Sequence, residues 1–263
     1  MRDFYAQTAA GPLDQADGLR RLFGGNRQRF IALAANPHVA FSGVALERLA
    51  SAFVARGRSV LVVDAADDAP RPSDIARIDL GLAIERLSAS VGYLAARDLP
   101  LAYVDTRGTA GGFLDALAAA APEADAIVVH ANPSQLARVF MRRSTRPLLL
   151  ASDHPESVKH AYAACKLLAR RCSLLTFDLL LAADPNSPRL PAIVGSLAGC
   201  ADNFLGALLR EWVVVDPAAD VGDAPDASLL ELADAQLALD DTEPALPAGL
   251  HAPRRASAAV TSY

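Results

Sequence analysis

The feature that most constrains this chain is a succession of short, predominantly apolar runs, most of them separated from the next by a stretch of helical spacing. Residues 30–35, 59–64, 99–105, 124–130, 147–151, 174–183 and 212–215 read as strands, and residues 82–96, 113–121, 134–143, 157–170, 190–205 and 227–239 as helices. A further helix follows the first strand, with Val44, Leu46, Leu49, Phe53 and Val54 on one face and Gly57 as its stop. Strands that are apolar along their whole length must be covered on both sides. Alternated with helices, they predict one α/β domain, a doubly wound and mostly parallel sheet with helices on both faces.

The first unit of that pattern, from Phe30 to Asp64, carries a loop with chemical content. Asn36-Pro37-His38-Val39-Ala40-Phe41-Ser42-Gly43 joins the first strand to its helix, and the second strand ends in Asp64. Strand, loop, helix and a strand ending in Asp is how a phosphate-binding unit begins, because the loop delivers backbone N–H groups at a helix N-terminus. Such loops need glycines for close approach and a Lys on the phosphates. This one has a Pro, a Phe and no Lys.

Composition excludes several classes. At 263 residues, 52% hydrophobic, the chain can bury a sizeable core. A net charge of -5 and a pI near 5.5 disfavour sequence-independent binding to nucleic acid. Cys165, Cys172 and Cys200 lie in neither CxxC nor metal-ligand spacing and read as structural thiols of a reducing compartment. There is no basic-then-apolar leader and no apolar run of membrane-spanning length, so a cytoplasmic protein is expected.

The domain map follows from texture. Residues 1–29 form a polar prelude with a short helix from Gln15 to Phe23, capped by Asp14 and stopped by Gly24-Gly25. Too short to stand alone, it presents Leu19, Leu22 and Phe23 for docking, either on its own domain or in a partner's groove. Residues 30–216 are the α/β domain. Residues 217–263 are acidic and rich in Pro and Ala, partly disordered, with one candidate helix bearing Leu229, Leu230, Leu232, Leu237 and Leu239. Its polar residues, Glu231, Asp234, Asp240 and Asp241, are acidic where a membrane-surface helix carries Lys or Arg, so membrane association is not expected. Arg138, Arg142, Arg143 and Arg146 read as a solvated helix face or a local positive patch. His154 and His160, six apart, do not share a helix face as a metal pair would. Ser42, Ser152 and Ser157 lack the context of a nucleophile.

Three stretches carry a resemblance. Asp14-Gln15-Ala16-Asp17-Gly18-Leu19-Arg20 fits a DQAxxLR signature placed just ahead of a first strand; residues 154–168 resemble a PEPxSxxDAYALIKxL segment; residues 200–206 are similar to ADRFLG. Together with the strand order, over roughly residues 14–216, they resemble the MinD/ParA-like family, and within it the FlhG (FleN) branch of flagellar number and placement regulators. The resemblance implies a P-loop NTPase fold of the deviant Walker A type. Laid on the family loop KGGxGK[ST], the signature Lys falls on Asn36, glycines on Pro37, His38 and Ala40, the phosphate Lys on Phe41, and the magnesium-binding hydroxyl on Ser42. The family's DADxG falls on Asp64 and Ala66, and its metal-side Asp on His130 by spacing, which leaves the local match at Asp105 incidental. Neutral imidazole does not replace a carboxylate on Mg²⁺. Asn36, Pro37, His38, Phe41, Ser42, Asp64 and His130 are therefore expected to be a vestigial nucleotide site, with no catalytic residue, no bound metal and no cofactor.

What the resemblance leaves intact is partner regulation. The branch's helix docks on a signal-recognition-type GTPase, FlhF, and Asp14, Gln15, Leu19 and Arg20 match it residue by residue. Flagellar basal-body or transcription-regulator proteins are further implied partners; nucleic acid is not, and a homodimer is left open. The competing readings are an active ATPase switch that dimerises on ATP with Mg²⁺, and a partitioning or cellulose-synthesis relative with a chance DQAxxLR match.

Overall fold

The computed structural model describes residues 28–239, Arg142 and Val221 excepted. The expectations for Asp14, Gln15, Leu19 and Arg20 lie outside the described residues. The elements are β1 (Arg29–Ala34), α1 (Ser42–Ala55), β2 (Val60–Ala65), a short α2 (Leu80–Ala83), β3 (Glu85–Arg86), β4 (Val91–Ala95), α3 (Gly112–Ala120), β5 (Ala126–Ala131), α4 (Pro133–Val139), β6 (Leu148–Ala151), α5 (Pro155–Cys172), β7 (Thr176–Ala182), α6 (Leu190–Leu205), β8 (Leu208–Val215) and α7 (Ala227–Leu237). The eight strands form one sheet in the order β3-β4-β2-β5-β1-β6-β7-β8. Every pairing is parallel except β3 with β4 at the edge. The expected doubly wound sheet is present.

Strand alternation sends successive side chains to opposite faces. Phe30, Ala32 and Ala34 of β1 join Val129 of β5 and Leu149 of β6 on one face, under Phe113 and Leu117 of α3, Leu136 of α4, Leu168 of α5 and Leu197 of α6. Ile31 and Leu33 join Val62, Val128 and Leu150 on the other, under Leu46, Leu49 and Phe53 of α1 and Leu229 and Leu232 of α7. Among the described residues four long helices and the short α2 cover the first face and two helices the second.

Two expected elements are replaced. Residues 82–96 were expected to be helical, yet only Leu80–Ala83 turns, and Val91–Ala95 is a strand paired with β2 from Val60↔Val91 to Asp64↔Ala95. Ser88-Ala89-Ser90 breaks any helix there, and Val91 and Tyr93 suit a pleated strand. Residues 99–105, expected to be a strand, form a tight 3-10 turn instead: Asp98 sits at φ 64 and Pro100 follows. With the β2 edge already occupied by β4, this segment has no strand to pair with. Asp105 consequently lies in an exposed loop, where the amide and hydroxyl of Thr109 hold its carboxyl below the usual range.

The basic run also resolves differently. α4 ends at Val139, so Arg143 and Arg146 are not on a helix face at all. Arg143 reaches Asp115 at 2.7 Å and stacks over the Phe30 ring, while Arg146 is buried and bonds Asp178 of β7 at 2.6 Å. A lone carboxylate inside the sheet demands a cation.

Candidate functional site

In a doubly wound sheet ligands gather at the carboxyl ends of the strands, where the order reverses. Here β1 and β5 end together at Ala34↔Ala131, with β2 on the far side of β5. The loop from Ala35 to Phe41 leaves β1 at this point, and Asp64 and His130 reach it from β2 and β5. The structure brings Asn36, Pro37, His38, Phe41, Ser42, Asp64 and His130 to this end of the sheet.

Asn36 is buried and fixes the loop. Its Nδ2 donates to the Leu150 carbonyl at 2.8 Å, the Ser157 carbonyl at 2.9 Å and Ser157 Oγ at 3.0 Å, and its Oδ1 accepts the His38 amide at 3.1 Å. Ser157 Oγ accepts in turn from the Ser152 amide at 2.9 Å. The Asn36 amide side chain thus ties the end of β1, β6 and the first turn of α5 into one knot. Pro37 and His38 stand exposed as the tip of the turn. His38 meets His160 of α5 edge-on, ring centroids 5.8 Å apart. Burial, then the charge of His38, lowers the His160 pKa. His154 caps α5 by accepting the Glu156 amide, and Glu156 pairs outward with Lys159.

Phe41 has a left-handed backbone (φ 61) and a side chain 71% exposed. It precedes α1 without a side-chain cap, and Ser42 opens the helix. For a β-carbon-bearing residue that backbone costs roughly 1–2 kcal/mol.

Asp64 and His130 meet each other. His130, 2% exposed, places Nδ1 2.9 Å from Asp64 Oδ1. Asp64 Oδ1 also takes the Ala66 amide at 3.3 Å, and Oδ2 takes the Tyr93 hydroxyl at 3.4 Å. Burial, with Asp64 second, raises the Tyr93 pKa to about 12, so the phenol stays a donor. Both oxygens of Asp64 are therefore engaged by the chain itself. Ala66, in the place of the water-orienting Asp, packs with Ala35 and Ala69 in a small apolar cluster. Among the described residues no cluster of three His, Cys, Asp or Glu could hold a metal ion, and no helix is long and apolar enough to cross a membrane. Burial pushes the thiols of Cys165 and Cys172 up to about 12 and about 11, as unreactive structural cysteines require.

Sequence reasoning missed Tyr93, because it lay in the wrongly expected helix; the Val91, Tyr93 alternation was the signal. It also weighed Ser157 only as a nucleophile. A 0%-exposed serine just inside a helix start is better placed to receive the loop.

Eight mostly parallel strands with helices on both faces and a loop at the carboxyl end of β1 form a doubly wound α/β fold that matches the fold of MinD/ParA-type ATPase structures. No protein-family model and no curated protein sequence matches the chain. Solved structures match the fold at low identity. A MinD cell division protein of Aquifex aeolicus aligns over 81% of this chain and 98% of its own, with 11% identity and a TM-score of 0.52. A putative plasmid partition protein of Borrelia burgdorferi bound to AMPPNP aligns over 80% and 96%, with 10% identity and a TM-score of 0.54. Cobyrinic acid a,c-diamide synthase of Mycobacterium smegmatis with bound ADP and magnesium aligns over 80% and 94%, with 18% identity and a TM-score of 0.55.

Proposed function

We propose that this chain is an FlhG/FleN-like regulator of flagellar number and placement, acting by protein interaction on an FlhF-type GTPase and without ATP hydrolysis of its own. The observation that carries the second half is the Asp64–His130 contact. A magnesium-nucleotide site needs hard oxygen ligands and fixed positive charge at the phosphates. Here the one retained carboxylate is spent on an imidazole and a phenol, and Phe41 stands where the lysine would. Asn36 supports the same reading, since its donors are turned inward to Leu150 and Ser157 rather than toward a ligand. The first half rests on Asp14, Gln15, Leu19 and Arg20. A Gln carried on a docked helix can orient the attacking water in a partner's GTP site without any nucleotide in its own domain.

Titration of a fluorescent ATP analogue with and without Mg²⁺ tests the closed loop. Binding in the micromolar range that needs Mg²⁺ and disappears on Ser42→Ala or Asp64→Asn overturns it in favour of the ATP-driven switch. GTP hydrolysis by FlhF tests the partner: full-length protein accelerates it, Gln15→Ala does not, and equal rates with the two proteins overturn the assignment.

A further inference from the structure

The thinner cover of the second sheet face leaves a specific gap. α1 packs along β2 and against α7, so β4 and the outer side of β2 have a helix on one side only. A groove of about 560 Å³ lies there, between Leu46, Ala50 and Val54 of α1 and Val62, Val91 and Tyr93 of the sheet. Gly43 and Asp64 stand at its upper end and Val54 and the β3–β4 turn at its lower end. From Gly43 to Val54 it is about 16 Å long at 1.5 Å per helical residue. In an α/β sheet of this kind, such a site is normally filled by a helix.

Where the chain leaves the fold points to the occupant. The Arg29 amide bonds the Asp125 carbonyl, and Gln28 Nε2 bonds Ala121 O at 2.6 Å, at the amino ends of the strands. A second hollow of about 480 Å³, lined by Gly57, Ser59, Ser90 and Asp125, shares Val54 with the groove and so joins its lower end to this exit. β1 and β4 are three strand spacings apart, about 14 Å. From Phe23 to Gln28 an extended chain covers up to about 17 Å. The segment Gln15–Phe23, nine residues of expected helix, is about 13 Å long. Its length and tether both fit. So does its charge: among the described residues the groove walls carry Glu47 and Asp64 and no Lys or Arg, and Arg20 and Arg21 flank Leu19 and Leu22. Residues 240–263 also lie outside the described residues; they open with Asp240, Asp241 and Glu243, which the acidic walls disfavour, and Pro244, Pro247 and Pro253 keep Arg254 and Arg255 out of any helix long enough to fill the groove.

We infer that this groove is the resting place of the chain's own N-terminal helix, seated with Leu19, Leu22 and Phe23 on the apolar walls and Arg20 beside Glu47. The seat is a store: with the helix in place Leu19 and Arg20 are covered, and a partner must displace it before Gln15 can act. That regulatory consequence rests on the proposed action on an FlhF-type GTPase; the docking does not.

The test uses the full-length chain with Cys165, Cys172 and Cys200 changed to Ala and one new pair, Arg20→Cys with Glu47→Cys. Mild oxidation gives an intramolecular disulfide at least about fivefold faster than in a control pairing Arg20→Cys with Asp202→Cys on α6, on the opposite face, because docking raises the effective concentration beyond that of the tether. Adding Leu19→Asp and Leu22→Asp brings the rate down to the control. Equal rates for the two pairs overturn the inference. Should the cysteine-free chain fail to fold, hydrogen exchange on the natural chain decides: Leu19→Asp with Leu22→Asp deprotects residues 43–54 and 87–93, and unchanged protection, or cross-links placing residues 240–263 in the groove, overturns it. A helix that docks while FlhF hydrolysis ignores Gln15→Ala sinks the regulator proposal alone; no docking with a Gln15-dependent rate sinks the inference alone.

Discussion

Two buried polar knots sit at opposite ends of the same sheet, and they are built on different chemistry. At the carboxyl ends Asn36, Ser157 and Ser152 form a neutral knot whose bonds go mainly to backbone. At the amino ends Asp178, 0% exposed, takes Arg146 Nε at 2.6 Å, Gln236 Nε2 of α7 at 2.8 Å and the Glu211 amide at 3.2 Å. Burial raises the Asp178 pKa against the opposing pull of Arg146. The neutral knot holds a loop in one shape at low desolvation cost. The charged one joins a C-terminal helix to the sheet, and either partner left alone is expensive. Asn36, singled out from the sequence for its place in the loop, bonds inward to β6 and α5, and the buried ion pair was hidden in a run of arginines.

The comparison can be broken in graded steps. Asp178→Ala strands Arg146 in the interior and lowers stability by about 3–5 kcal/mol in urea denaturation, most of it recovered by adding Arg146→Met. Recovery by the second change is what a neutral knot lacks. Asn36→Ala removes donors from buried carbonyls and lowers stability by about 1–3 kcal/mol, with hydrogen exchange rising in residues 35–41. His130→Asp sets two carboxylates side by side, lowering stability at pH 7 by about 1–2 kcal/mol; the loss narrows toward pH 5, as one of them takes a proton. Should millimolar Mg²⁺ restore that loss, the metal site is nearer to function than the loop suggests. His160 gives a smaller effect with a definite sign. Its folded pKa lies below the unfolded 6.5, so the unfolded chain binds the extra proton and stability falls as pH drops below that value. His160→Gln flattens this part of a melting profile between pH 5 and 7.5. Phe41→Gly is the smallest change, because relief of the left-handed backbone offsets the entropy of glycine, and the melting temperature moves little.

Most of the fold was legible because parallel strands buried on both faces announce themselves as unbroken apolar runs. The exceptions are instructive. Val91–Ala95 is an outer strand with half-buried residues, and Gly92 and Tyr93 gave it a mixed texture that helical spacing could imitate. Residues 99–105 have strand composition, but whether a segment pairs depends on a vacant neighbour, which no local pattern records. At the site, spacing singled out His130 and the end of the second strand singled out Asp64, and the structure sets the two in register on adjacent strands. Their contact could not be read, since the same spacing is compatible with a metal between them. Ser157 and Tyr93 were invisible as partners because one is 121 residues from Asn36 and the other 29 from Asp64.

The strand order has a consequence for how this chain is made. β1 and β2 are neighbours in sequence but not in the sheet; β5 lies between them and supplies Ile127 to both Phe30 and Leu61. As the ribosome releases the first 65 residues, two apolar strands emerge with no partner available to either. At about 5–20 residues per second the 60 or so residues up to Ala126 take roughly 3–12 s to follow. During that interval β2 can pair with β4 as soon as Val91–Ala95 has emerged, whereas β1, whose strand partners are β5 and β6, must wait.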